Sequence, residues 1–482
     1  MPNAKGKTPK LEAIMLKRES QPPVPPLFLE RMSRLLGAEF EDFAQALNRP
    51  PVSGLRVNTL KLSAEEFASI TPLTLGERVA WCPAAFRLPP GETSAGGHPF
   101  HRAGLYYLQD PSAMSPAELL APQPGEKVLD LSAAPGGKTT HLAALMQGRG
   151  LLVANEIKDK RVGHLAQNVE RWGAGNVVVT NETPERLADH LGPIFDRVLV
   201  DAPCSGEGMF RKDMGARADW SPEMVLGCAV RQHNILRVAA RLVRPGGYLL
   251  YSTCTFAPEE DEGAVQSLLE TFPDFKVVAL PQLDGFAPGQ PGWLETLTGQ
   301  QADSTLKGAA RLFPHRLAGE GHFACLLQRS SGPAPAHRQA DPIRKQEKPD
   351  LRFWREFASA ALNVDLAEDR LRVAGERLYF VPDTLADFSR LRVVHPGVWL
   401  GTFKKGRFEP AHALALFLKR GQAAHTLDLP ADSPALAAYL RGEPLESDGQ
   451  PGWVVVTADG WPLGWGKRVQ GQVKNHYPRG WF

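Results

Sequence analysis

Two cysteines stand where strands should end. Cys204 lies in "VLVDAPCSGEGMFRKD" (198–213), an apolar run closed by Asp201 and turned by Pro-Cys-Ser-Gly, and Cys254 lies in "YSTCT" at the end of the next apolar run. Free cysteines are mostly inert packing residues. Two at consecutive strand ends, on the edge where a doubly wound sheet binds its ligands, point instead to one cleft shared with Asp201 and Lys138. Taken alone, Cys204 is the obvious nucleophile. A pair of thiols fits a more particular chemistry: carbon 5 of a pyrimidine becomes nucleophilic when a thiolate adds to carbon 6, and that thiol must later be expelled. One cysteine would attack while the other governs release. Cys82, Cys228 and Cys325 lack such a context and read as packing residues.

A glycine turn, "VLDLSAAPGGKTTHLAAL" (128–145), lies upstream and admits two readings. Gly137-Lys138-Thr139 matches the end of a phosphate-binding P-loop, but Ser132 stands at its first glycine and Pro135 removes an amide that such a cradle uses. The other reading is a strand-to-helix turn on which a nucleoside cofactor lies, and it requires an acid about 20 residues on, at the end of the second strand. Glu156, closing "LLVANE", is that acid.

The elements that must position these residues alternate between 126 and 256. "EKVLDLS", "GLLVANE", "NVVVTNE", "FDRVLVDAP" and "YLLYSTCT" read as buried strands. "GGKTTHLAALMQ", "KDKRVGHLAQNVERWG", "PERLADHL" and a long segment ending at "RPGG" read as the helices between them. The pattern predicts a doubly wound, Rossmann-like α/β domain. Before it, residues 20–110 are helical and then mixed, with "LRVNTLKLS" a strand. After the Pro- and charge-rich stretch 329–350, strands such as "WVVVTADG" mix with helices such as "PAHALALFLK".

Bulk properties restrict the function without naming it. The 482 residues suggest roughly three domains. No run reaches the ~20 uninterrupted apolar residues that cross a bilayer, and the N-terminus has no apolar signal core, so a cytoplasmic protein is expected. Five cysteines without a CxxC pair fit neither a disulfide scaffold nor a zinc site. The net charge of +2 is mild, but Lys5, Lys7, Lys10, Lys17 and Arg18 crowd the start, and "GKRVQGQVKNHYPRGWF" closes the chain without an acid. Basic patches of this kind meet phosphates or are simply solvated.

With these residues in place, the sequence resembles the Nop/Sun family of S-adenosylmethionine-dependent RNA cytosine-5 methyltransferases, in particular the bacterial RsmF-type enzymes of small-subunit ribosomal RNA. The resemblance rests on "LRVNTLK" (55–61), "YYLQDPSAM" (106–114), "DLSAAPGGKTTHLA" (130–143), "DAPCSGEGMFRK" (201–212), "RPGGYLLYSTCTFAPEEDE" (244–262), "RLFPHR" with "GEGHFACLL" (311–327), and "KNHYPRGWF", which looks like the end of a PUA-like module. It implies a class I methyltransferase core, an N-terminal α+β domain and a C-terminal PUA-like α/β region. It divides the chain into a basic tail (1–20), an N-terminal RNA-binding domain (21–110), a catalytic domain (111–329), a linker (330–350), an intermediate domain (351–415) and a PUA-like RNA-binding domain (416–482).

The resemblance also implies roles. Cys254 of the "TC" motif is the nucleophile, and Cys204 of the "PC" motif assists product release. Asp201 contacts the N3 and N4 edge of the target cytosine, with Lys138 close to that base. S-adenosylmethionine is implied as the cofactor, on Ser132, Ala133, Ala134, Pro135, Gly136, Gly137, Lys138, Glu156, Asn181 and Asp201. Ser132 departs from a cysteine in many members, and Asn181 from an aspartate that binds the adenine amino group. An asparagine carbonyl accepts the same bond, and Glu182 is an alternative. The implied partner is RNA, free or in an assembling subunit, with no membrane and no DNA, and the protein is expected to be a monomer.

Three further expectations concern the surroundings. Arg211 and Lys212 reach either RNA phosphates or the Cys204 thiol, or are surface charges. Tyr477, Trp481, Lys474 and Arg479 stack on and attract single-stranded RNA, or the aromatics dock into their own domain. Removing residues 351–482 weakens RNA binding and leaves cofactor binding intact. A P-loop NTPase, a DNA cytosine-5 methyltransferase attacking through the Pro-Cys thiol but lacking the "ENV" motif, and a non-catalytic RNA-binding assembly factor are the competing classes.

Overall fold

Strands buried on both faces read as unbroken apolar runs, and five of them build the centre of this molecule. In the computed structural model, which describes residues 22–299, 301–333 and 350–480, these are Lys127–Asp130 (β1), Leu151–Asn155 (β2), Val177–Thr180 (β3), Phe195–Asp201 (β4) and Val243–Thr253 (β5). They pair in parallel in the order β5-β4-β1-β2-β3. Phe275–Val278 (β6), Phe286–Pro288 (β7), Ala310–Leu312 (β8) and His322–Arg329 (β9) extend the sheet beyond β5, where β9 runs antiparallel to it. The order reverses between β1 and β4, so ligands belong at the carboxyl ends of β1, β4 and β5. Those ends carry the glycine turn, Cys204 and Cys254.

The helices Gly137–Leu145 (α1), Asp159–Trp172 (α2), Pro184–Leu191 (α3) and Pro222–Ala240 (α4) connect the parallel strands. Local chemistry sets their ends. Thr183 and Ser221 accept amide protons from Arg186 and Met224 at the starts of α3 and α4. Gly173 closes α2 in the left-handed region at φ 71°, and a Cβ there would stand 2.7 Å from the Leu416 carbonyl of the C-terminal part.

The flanking parts fold onto this core. The strands Cys82–Leu88, Ser53–Val57 and Tyr106–Gln109 form an N-terminal sheet, and Arg56 from it is fully buried against the catalytic domain. Its guanidinium donates to the Gly137 carbonyl (2.9 Å) and Thr140 Oγ1 (2.8 Å) and lies over the Trp172 ring. Asn58 donates to the carbonyls of Gly104 and Trp172, both at 2.8 Å. The "LRVNTLK" motif is therefore a clamp on the start of α1 and the end of α2. One apolar cluster joins Leu55, Phe67 and Tyr106 of the N-terminal part to Leu436, Tyr439 and Val473 near the C-terminus.

One expected boundary is corrected here. The helix His412–Phe417 runs across the 415/416 division, which moves that boundary beyond Phe417. Residues 351–482 also contact the cofactor domain: Val393–His395 (β10) pairs antiparallel with β3 at Val179 and Thr180, as the tenth strand of its sheet. The basic tail (1–20), residues 334–349 of the linker and Trp481 lie outside the described residues. Among the described residues no helix is long and apolar enough to cross a membrane.

Candidate active site

The two thiols meet. Cys204 Sγ and Cys254 Sγ are 3.2 Å apart, although 50 residues separate them in sequence. Their loops are held together by a buried carboxylate. Glu260 accepts from the Ser205 amide (2.9 Å), the Ser205 hydroxyl and Gln232 Nε2 (2.8 Å), and Gln232 also donates to the Pro203 carbonyl (3.1 Å). Burial and the neighbouring Glu207 charge push the Glu260 carboxyl up to about 7. On the other side, Thr253 donates to Asp261 (2.6 Å), and Asp261 and Glu262 are paired with the buried Arg311. The Gly208 amide donates to the Cys254 carbonyl at 2.8 Å, an approach that a Cβ on Gly208, 2.9 Å from that oxygen, would crowd. The bond to Cys254 and burial hold the Cys204 thiol well above the usual cysteine range.

Beside the sulfurs lies an ion pair. Lys138 Nζ, from the first turn of α1, donates to Asp201 Oδ2 at 2.7 Å, and the Ser252 hydroxyl donates to Asp201 Oδ1 at 3.0 Å. Burial works against both charges. The charge of Lys138 nonetheless holds Asp201 below the ordinary carboxylate range, and Asp201 holds Lys138 above its ordinary value. The Asp201 side chain remains 31% exposed, open to the cleft. His322 starts β9 with its Nε2 3.9 Å from Asp201 Oδ1.

The glycine turn passes next to this pair. Gly136 sits at φ 113°, where a side chain is strained, and its missing Cβ would lie 3.2 Å from Asn168. The Ala133 amide donates to the Asn155 carbonyl (2.8 Å), Arg161 donates to the Ala134 carbonyl (2.5 Å), and Asn168 donates to the carbonyl of the exposed Pro135 (2.7 Å). Ser132 and Gly137 are half-buried. Glu156 is buried at the end of β2, where one oxygen accepts from the Lys158 amide (2.8 Å) and the other faces Arg161 at 3.3 Å.

Asn181 and Glu182 separate clearly. Asn181 Nδ2 donates to the Glu156 carbonyl at 2.7 Å, which leaves its Oδ1 buried with no hydrogen-bond partner. Both oxygens of Glu182 are engaged, one by Arg186 (2.6 Å) and one by the Arg392 amide (2.7 Å). A buried carbonyl oxygen without a donor is what an adenine amino group requires. The residues present therefore fit a nucleoside cofactor: an orphan acceptor, a buried acid at the second strand end and a turn of small residues.

Several expectations fare differently. Arg211 reaches neither phosphate nor thiol: it is buried, donating to Glu320 (2.6 Å) and to the Gly319 carbonyl. Lys212 lies 4.0 Å from Asp110. Tyr477 is buried against Tyr439 and His412 and offers no free face to a base, whereas Lys474 and Arg479 are exposed. Cys325 and Cys228 are buried, as packing residues should be. Cys82, by contrast, lies 3.8 Å from His141 Nε2, which is 2.9 Å from Glu118, a polar seam between the N-terminal sheet and α1. Glu260, Ser252, Arg56 and His322 were not singled out from sequence. Their traces are the motifs that contain them: the acidic run "EEDE", "YSTCT", "LRVNTLK" and the lone histidine in "GEGHF".

Comparison with known proteins agrees with this arrangement along the chain. The family described as 16S rRNA methyltransferase RsmB/F matches residues 117–328, the N-terminal domain of 16S rRNA methyltransferase RsmF matches 24–111, the RsmF rRNA methyltransferase first C-terminal domain matches 352–418, and the methyltransferase RsmF PUA domain matches 426–482. The ribosomal RNA small subunit methyltransferase F of Serratia proteamaculans is 33% identical over 475 residues, covering 95% of this chain and 96% of that protein. That of Klebsiella pneumoniae is 34% identical over 490 residues, covering 94% and 96%. Among solved structures, a methyltransferase homolog from Pyrococcus horikoshii is 29% identical with a TM-score of 0.55, covering 67% of this chain and 99% of its own. NSun6 from the same organism, 21% identical with a TM-score of 0.54 and covering 64% and 99%, shares the fold. The chain belongs to the RsmF-type 16S rRNA methyltransferases of the RsmB/F family.

Proposed function

We propose that the protein methylates carbon 5 of a cytosine in small-subunit ribosomal RNA, with Cys254 as the attacking thiol and Cys204 as the residue that releases it. The observation that carries this reading is the 3.2 Å sulfur pair standing beside the Lys138–Asp201 ion pair. Addition of the Cys254 sulfur to carbon 6 of an unpaired or extruded cytosine pushes electrons toward N3, which takes a proton. Asp201, kept ionised by Lys138, accepts hydrogen bonds from the N3–H and N4–H edge of that adduct. Once carbon 5 carries the methyl group, a base takes its remaining proton, and the electron pair left behind expels the Cys254 sulfur from carbon 6 as a thiolate. Cys204, which keeps its proton at neutral pH, hydrogen-bonds to that departing sulfur and favours its release. When bound, S-adenosylmethionine supplies the electrophilic methyl group. Glu156 holds its ribose hydroxyls, the turn from Ser132 to Lys138 gives it a surface without bulky side chains, and Asn181 Oδ1 accepts from its adenine amino group. Asp201 borders both ligands. The reading further takes the protein as a cytoplasmic monomer that acts on RNA and not DNA.

Bisulfite mapping of small-subunit ribosomal RNA, in a strain lacking the protein, tests the reaction. One or more protected cytosines are expected to disappear and to return with the wild-type gene but not with Cys254→Ala. An unchanged map removes the proposal. The cofactor contact has its own test, by calorimetric titration of S-adenosylmethionine. Asn181→Ala is expected to weaken binding about 10-fold, the effect of one lost buried acceptor. Asn181→Asp, which keeps an acceptor oxygen, should stay within a few-fold of wild type, and Glu182→Gln should have a smaller effect than Asn181→Ala.

A further inference from the structure

We propose that His322 is a second acceptor for the exocyclic amino group of the target cytosine, acting with Asp201 to distinguish cytosine from uracil; this rests on the placement of the base under the reading above. His322 is the first residue of β9, one position before Phe323, which pairs with Thr253 in β5, so its ring lies level with Cys254. Nδ1 is 3.0 Å from the Gly321 carbonyl, an oxygen that only accepts, so Nδ1 carries the proton and Nε2 the lone pair. Nε2 is buried, in a residue only 4% exposed, and has no hydrogen-bond partner. It points toward Asp201 Oδ1 across 3.9 Å, a gap between two acceptors that no hydrogen bond spans.

The charges around the ring keep it an acceptor. Burial and the Lys138 ammonium push the imidazole down to about 3, so it stays neutral in the range where the protein works. Asp201 already takes Lys138 on Oδ2 and Ser252 on Oδ1, which directs its remaining capacity toward the open side of the cleft. A buried acceptor left unpaired is unfavourable, and two that face each other call for one group with two hydrogens to donate. The amino group on carbon 4 of cytosine is such a group. The oxygen at that position in uracil would meet two acceptors, an arrangement that rejects it.

The test is the single-turnover rate of covalent complex formation, measured throughout in the Cys204→Ala background where the complex accumulates and with the His322 protein as its wild type, on a synthetic RNA that spans the mapped site. It carries either cytidine or 2-pyrimidinone riboside, which lacks the amino group, at the target position. His322→Phe is expected to slow the cytidine RNA about 10-fold and to leave the 2-pyrimidinone RNA within two-fold of wild type. His322→Gln, whose side-chain oxygen again accepts, should recover most of the cytidine rate. Equal slowing on both RNAs in both variants marks a structural role and overturns the assignment, as does an unchanged cytidine rate in His322→Phe. Failure of the Cys204→Ala protein with His322 intact to form a Cys254-linked complex on either RNA overturns the underlying reading, and this assignment with it.

Discussion

Cys204→Ala is expected to accumulate a protein–RNA complex that survives denaturing electrophoresis, whereas Cys254→Ala forms none and loses methylation by at least about 10³-fold. The asymmetry follows from the positions of the two sulfurs. Both lie in one cleft, 3.2 Å apart, so either variant leaves a thiol near the base. They differ in what surrounds them. The Cys204 thiol is held protonated by its bond to Cys254 and by burial, and a protonated thiol is a poor nucleophile but a serviceable hydrogen-bond donor to a departing one. Without it, attack on carbon 6 proceeds and elimination stalls. A complex trapped in Cys254→Ala, and not in Cys204→Ala, would assign attack to Cys204.

Asp201→Asn is expected to lower methylation by about 10²–10³-fold and to destabilise the protein as well, because it leaves the Lys138 ammonium in the cleft wall without its counter-ion. The Lys138 side chain is 11% exposed and Asp201 31%, so the cost lies between that of an exposed and a fully buried pair, about 2–3 kcal/mol. Lys138→Met combined with Asp201→Asn should recover much of that stability and none of the activity, since the carboxylate that meets the base remains absent. The pH dependence has a definite sign. Lys138 depresses the Asp201 carboxyl in the folded protein, so the stability this group contributes is fully present above its unfolded value of about 3.9 and is lost as pH falls through the folded pKa. Thermal unfolding followed from pH 7 to pH 3 should show a shallower acid limb in the double variant than in the wild type.

Much of the catalytic domain was legible because its signals are local. β2 and β3 are buried on both faces and read as continuous apolar runs, the helix ends carry Thr183, Ser221 and Gly173, and the site residues sit at strand ends. What was not legible depends on partners far away in sequence. Arg211 looks like a free cation in "GMFRK" until Glu320, 109 residues later, is placed against it. Tyr477 looks like a base-stacking residue until Tyr439 and His412 close around it. The choice between Asn181 and Glu182 turns on which oxygen lacks a donor, and that follows from Arg186 and Arg392, one of them in the C-terminal part. His322 is one imidazole in an apolar strand, and its meaning comes from the antiparallel register with β5.

The pairing of β10 with β3 has a consequence for biosynthesis. Roughly 210 residues lie between them, and translation at about 5–20 residues per second means that β3 leaves the ribosome some 10–40 s before its partner. During that interval the nascent catalytic sheet presents an almost wholly apolar border strand with unpaired amides and carbonyls, the form most prone to join a neighbouring chain. A chain that stops before residue 393 leaves Val179 and Thr180 on that border without their β10 partners.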